Sequence, residues 1–156
     1  MTRLYWNFSG AEIMAGLNFD DRLPRVINSK THGIIDYINA ATNFAAAAFF
    51  WNRNRRAAGA ALALGGSILA NALMTDYELG VFRTYSFRVH GMLDYGAAAS
   101  SAAFPALLGF AHEPEATFFH VQGAGESVIA GITDYDDDSG AQRTFGNSER
   151  RPRRIA

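Results

Sequence analysis

The sequence predicts an all-α protein: four transmembrane helices, arranged as two tandem helical hairpins related by a pseudo-twofold axis. Three observations predict it. First, the string HGIIDY at 32–37 returns as HGMLDY at 90–95, and TDYE at 75–78 returns as TDYD at 133–136. Both matches share an offset of 58 residues, which sets His32 on His90, Asp36 on Asp94 and Asp76 on Asp134. Separated motifs with one common offset mark a tandem duplication. Second, Ala57–Met74 and Tyr95–His112 are each 18 residues without a formal charge. Third, the links inside each repeat are short and polar, which makes each unit an antiparallel pair of helices.

In chain order, residues 1–27 form an N-terminal arm, 28–80 the first hairpin repeat, 81–138 the second, and 139–156 a mobile C-terminal tail. The arm carries Trp6, Asp20, Asp21 and Pro24, and residues 1–30 lack the continuous apolar core of a secretory signal. Ile34–Trp51 is the first expected helix. Asn28 lies just before it, and Ser86 just before the third; each is placed to cap its helix through an orphan backbone N–H. Asn52–Arg56 links to the second helix, Ala57–Met74. The third runs Gly91–Phe110 and is expected to bend at Pro105. The link at His112, Glu113 and Pro114 leads into the fourth, Glu115–Thr133. Helices of 18–20 residues at 1.5 Å per residue are about 30 Å long, the thickness of a bilayer core. They show little of the charged outer face that a water-soluble bundle presents. Small residues, among them Gly59, Ala63, Gly65, Gly66, Gly96, Ser100, Gly123 and Ser127, provide close packing faces.

Composition narrows the function. The chain is 49% hydrophobic and 19% charged, with a net charge of -1 and no cysteine. It is too apolar for a disordered chain. It has no thiol nucleophile or disulfide framework. No basic stripe crosses its centre, so nucleic acid is not an expected partner. The termini and the central link carry 11 of the 14 Lys and Arg residues, and the hairpin tips carry Arg53, Arg55 and Arg56. This imbalance predicts that both termini face the cytoplasm.

MTDYELG (74–80), FRVHGMLDY (87–95) and AFPALLGF (103–110) occur in the order of a known signature. On these motifs the chain, over about residues 28–138, resembles the SPW-repeat family of small bacterial membrane proteins. The signature Ser and Trp are replaced by Phe104 and Ala106, and AAFFW (47–51) has no proline. The resemblance implies two transmembrane hairpins in a bacterial inner membrane. It implies no activity or ligand set.

The polar residues collect in two groups. His32 and Asp36, four apart, share a helix face, as do His90 and Asp94. The parity of crossings brings Asp76, Tyr77, Asp134 and Tyr135 to the same end of the bundle, along with Tyr37 and Tyr95. One end thus gathers two histidines, four aspartates and four tyrosines, at the limit of the spans where water and headgroups reach. The plain structural role is to tie hairpin to hairpin; ionisable groups at membrane depth are also functional candidates. A metal site needs three or four converging ligands. The inventory allows this, but there is no Glu-x-x-His pair of the ferritin type, and no metal is expected. A haem or chlorophyll-type tetrapyrrole is the alternative cofactor, with His32, His90 and His120 as its candidate ligands, because a glycine after each of the first two leaves room for a flat ring. The second group is His120, Gln122 and Glu126 on the fourth helix. Glu126 is an intramembrane acid suited, with His120, to a proton relay or a small-solute transport component; its plain role is to pair with a buried partner such as Asn71 or a histidine, or to face a neighbouring subunit.

No nucleophile–base–orienter set assembles, so no enzyme activity is expected. The leading expectation is a non-catalytic accessory or scaffold subunit of a larger membrane complex. Its expected partners are the lipid bilayer and other membrane subunits or a second copy, docked through the aromatic segments YWNF (5–8) and VFRTYSF (81–87).

Overall fold

A computed structural model of the chain describes residues 23–136. Among them are four helices: α1 (Ser29–Phe50), α2 (Arg55–Met74), α3 (Phe87–Leu107) and α4 (Ala116–Gly131). The fold is all-α. α1 packs along α2 and α3 along α4, giving the two expected hairpins. The arm motif at 5–8 and the tail at 139–156 lie outside the described residues.

Each boundary has a local cause. Asn28 caps α1, its Oδ1 accepting from Thr31 N at 2.9 Å. Asn54 caps α2 by accepting from Arg56 N and Ala57 N, both at 3.1 Å. Its own side-chain amide donates to Glu113 at 2.6 Å, so the cap is held by the opposite hairpin tip. Ser86 stands at the N-cap of α3 but makes no side-chain cap bond. α1 and α3 therefore start several residues earlier than expected, and both histidines lie inside a helix, one turn from its start. At the other end α3 stops at Leu107, short of the expected Phe110. Pro105 cannot donate to the helix ladder, and Gly109 turns the chain away at φ +71°. α4, with 16 residues, is about 24 Å long at 1.5 Å per residue, shorter than expected.

The ends of the repeats pair across the molecule. β1 (Thr75–Asp76), after the first hairpin, runs parallel to β2 (Tyr85–Ser86), before the second, with Thr75 opposite Tyr85. The 58-residue counterpart of this pairing is a parallel bridge between Ile27 and Thr133. Asp134 N donates to Ile27 O at 2.8 Å to hold it. Each hairpin is thereby closed by a segment of the other.

The apolar core sits toward the hairpin tips. Ala47, Phe50, Ala57, Ala61, Phe110 and Phe119 form its main cluster, with Ala40, Leu64 and Ile68 behind it. Gly65 and Gly123, in register, let backbones close in. A Cβ on Gly123 would stand 2.7 Å from Ala98 O, and one on Gly65 2.9 Å from Asn43 Cβ. The tips are joined by Arg56, which donates to Gly109 O at 2.7 Å and pairs with Glu113 at 2.8 Å.

The helices carry little charge on their outer faces. Past the first turn of each helix, the exposed positions hold no Asp, Glu, Lys or Arg. They hold residues such as Ile38, Phe49, Leu62, Met92, Leu107 and Val121. The acids within the helices, Asp36, Asp94 and Glu126, all point inward and are buried or half-buried. One helix, Arg55–Met74, is long and apolar enough to cross a membrane by length and composition. The other three fall short because inward-facing polar residues lower their mean hydropathy, or, for α4, because the helix is short.

Candidate functional site

The first turns of α1 and α3 each present a histidine and an aspartate, four apart, to the interior. These four side chains meet. His32 Nε2 stands 3.1 Å from His90 Nε2. It also lies 3.4 Å from Asp36 Oδ1 and 3.1 Å from Asp94 Oδ2. His90 Nε2 is 3.1 Å from Asp36 Oδ2 and 3.2 Å from Asp94 Oδ2. One ligand atom from each of the four lies within 4.8 Å of the others. The convergence that a metal centre requires is therefore present in these four residues.

The histidines are enclosed: His32 is 1% and His90 0% exposed, Asp36 is buried, and Asp94 is half-buried. The two rings are thus withdrawn from the expected water-reached limit of the bundle, while Asp36 and Asp94 line a cavity. The cause is a lid of rings: Phe87 packs against both histidines and against Tyr77 and Tyr135. Phe87 is the buried end of the VFRTYSF run, of which Val81 and Phe82 are exposed.

Two threonines orient the imidazoles. His32 Nδ1 is 2.8 Å from Thr133 Oγ1, and His90 Nδ1 is 2.8 Å from Thr75 Oγ1. Each hydroxyl gives its single proton to a carbonyl four residues back: Thr133 to Ile129 O at 2.7 Å, Thr75 to Asn71 O at 2.6 Å. Each threonine oxygen can then only accept, so each Nδ1 carries a proton and donates it. Both Nε2 atoms are left facing the centre. Sequence reasoning did not single out these threonines, although both stand first in the repeated TDY strings.

The tyrosines behave asymmetrically. Tyr135 donates to Asp94 Oδ2 at 2.9 Å. The hydroxyl of its counterpart, Tyr77, has no hydrogen-bond partner, and neither does Asp36 Oδ2. Burial first, and then the nearby aspartate charges, push both phenols above the ordinary tyrosine range, so both stay protonated. Asn71 supports Asp94 with a 2.9 Å bond and accepts from Tyr85 at 2.7 Å. In register, Asn71 falls on Ile129, so Asp36 has no such support.

Other expected members of the cluster lie apart. Tyr37 donates to Leu79 O. Asp76 lies 3.9 Å from Arg83, and Asp134 4.0 Å from Arg25. Tyr95 is exposed. His120 is exposed and joins neither group. Glu126 pairs with Asn39 at 2.9 Å and Gln122 at 3.2 Å, not with Asn71 or a histidine, because α4 faces α1 at this level. Gln122 also bonds Asn39, and Glu126 Oε2 is buried without a partner. Between α1 and α4 a cavity of about 630 Å³ is lined by Asp36, Asn39, Asp94, Gln122 and Glu126 and reaches His32.

The space expected for a tetrapyrrole is taken. A Cβ on Gly33 would stand 2.2 Å from the Tyr77 ring, and one on Gly91 2.7 Å from the Tyr135 ring. The glycines do admit flat rings, but the rings belong to the protein. With both Nε2 atoms facing each other and both Nδ1 atoms committed, neither histidine offers a nitrogen to an axial site on a macrocycle. No family model, curated protein or solved structure matches the chain.

Proposed function

We propose that this is an integral membrane protein whose four helices cross a bilayer, acting without catalysis of its own as an accessory or scaffold subunit of a larger membrane complex. The carrying observation is that, past their first turns, the exposed faces of all four helices carry no formal charge, while the acids Asp36, Asp94 and Glu126 turn inward. In water such a surface would expose contiguous apolar area, which soluble monomers avoid. In lipid it needs no covering. Two tandem hairpins are also what the motif resemblance to the SPW-repeat family leads one to expect.

The same reading places both termini in the cytoplasm of a bacterial inner membrane, with the repeat axis along the membrane normal. The three tip arginines, Arg53, Arg55 and Arg56, are outnumbered by the 11 Lys and Arg residues of the termini and the central link. The role of the His–Asp cluster is then architectural: with the parallel bridges at the same end, it joins one hairpin to the other.

Membrane fractionation tests the placement. The protein is expected to stay in the pellet after an alkaline carbonate wash and to leave it only with detergent. Gentle solubilisation followed by native electrophoresis is expected to show it migrating well above its own 17.0 kDa plus micelle. A protein that stays monodisperse in buffer without detergent would refute the reading.

A second reading rests on the α1–α4 cavity. Its acids, together with the unpartnered Glu126 Oε2, suit a proton-linked transport component. If Glu126→Gln leaves solute and proton flux in proteoliposomes at the wild-type level, that reading fails.

A further inference from the structure

We propose that His32, Asp36, His90 and Asp94 form a binding site for one divalent metal ion, zinc(II), at the junction of the two repeats.

The first argument is geometric. Zinc bound by imidazole nitrogen and carboxylate oxygen takes four ligands at about 2.0–2.1 Å, and a tetrahedron of that size has edges of about 3.3–3.4 Å. The His–His and His–carboxylate separations in the cluster run from 3.1 to 3.4 Å. One ligand atom from each of the four residues lies within 4.8 Å of the others, so the set gathers round one point and closes onto that tetrahedron when the carboxylates draw in.

The second argument is the direction of the lone pairs. Thr75 and Thr133 hold Nδ1 of each ring as the donor on the outer side, so Nε2 is the nitrogen that each imidazole presents to the centre. The two Nε2 atoms face each other at 3.1 Å, beside two carboxylates. With one proton shared between the nitrogens, Asp94 keeps the donors Asn71 and Tyr135, whereas the buried Asp36 Oδ2 has none. A cation at the centre takes all four lone pairs at once.

The third argument is charge. Two carboxylates, two neutral imidazoles and one divalent ion sum to zero, the charge least costly to bury. Hydrogen bonds from ligand histidines to outer groups, here Thr75 and Thr133, are the usual way such a site fixes its tautomers. The cavity between α1 and α4 gives a route in from the protein surface, past Glu126 and Asn39. This inference goes beyond the scaffold reading and does not depend on the bilayer, so either can fail alone.

The test uses the full chain, purified with chelator and then equilibrated with zinc chloride alone. Elemental analysis is expected to find one zinc per chain. Loading the chelated protein with cobalt(II) is expected to produce the intense visible bands of a tetrahedral centre, and zinc should abolish them. Thr133→Val keeps the ligands and is expected to weaken zinc affinity by about 10- to 100-fold. The double variant His32→Gln, His90→Gln is expected to bind none. Wild-type protein that is helical yet takes up neither zinc nor cobalt overturns the proposal. So does full zinc stoichiometry in a helical double variant.

Discussion

His32 and His90 meet nitrogen to nitrogen at 3.1 Å, though 58 residues separate them in the chain. Each is held from behind by a threonine of the opposite repeat. The centre of the molecule is thus assembled from equivalent residues of two copies, and neither copy contains the whole of it. The predictions below follow from that arrangement and from the polarity of the helices.

Removing either threonine hydroxyl while keeping its shape should strand a buried imidazole N–H. Thr75→Val and Thr133→Val are each expected to lower stability by about 1–3 kcal/mol, the cost of an unsatisfied buried donor. The two effects should be similar in size, since the two bonds are equivalent. Chemical denaturation in detergent, followed by circular dichroism, measures both.

The two tyrosines should respond differently to the same change. Tyr135→Phe deletes a bond to a carboxylate and is expected to cost about 1.5–3 kcal/mol. Tyr77→Phe deletes a hydroxyl without a partner and is expected to be neutral or slightly stabilising. Equal losses at both positions would contradict the asymmetry between Asp94 and Asp36.

Gly33→Ala and Gly91→Ala push a methyl into the rings of Tyr77 and Tyr135, and overpacking of this kind is expected to cost about 1–3 kcal/mol. Gly59→Ala and Gly96→Ala, with open space beside them, serve as controls. They are expected to gain up to about 1 kcal/mol from helix propensity. The same denaturation assay separates the two classes.

Leu62→Lys and Val121→Lys put a charge on the outer face of α2 and α4. In lipid each is expected to oppose insertion by about 2.5–3.5 kcal/mol. On a water-exposed surface the same changes would stay within about 0.5 kcal/mol. The fraction of each variant recovered in membranes, against wild type, distinguishes the environments.

Much of this was legible because the chain repeats itself. The common offset revealed the hairpins, and it placed His32, Asp36, His90 and Asp94 at one end of the bundle. What the offset could not reveal was the crossing. It relates His32 to His90 and Thr75 to Thr133, whereas the bonds formed run from His32 to Thr133 and from His90 to Thr75. Partners 101 or 15 residues apart leave no local spacing signal. Phe87 was missed as a lid because its register partner is Ser29, which the repeat does not mark. The i,i+4 spacing joins Gln122 to Glu126, but Asn39 carries no signal as the partner, because neither it nor Gln122 has a polar counterpart in the other unit. The glycines after the histidines were read as room for a ring, and only the structure identifies the ring as tyrosine.

The parallel bridges Thr75–Tyr85 and Ile27–Thr133 join the exit of each hairpin to the approach of the other. Such reciprocal closure means that a polypeptide of half this length, meeting an identical molecule, would hold the paired histidines, aspartates and threonines of the junction, though only the first half brings Asn71 and only the second brings Phe87. During synthesis, conversely, the first half must wait: until Thr133 leaves the ribosome, His32 has nothing behind it, and the earlier hairpin stays unfinished.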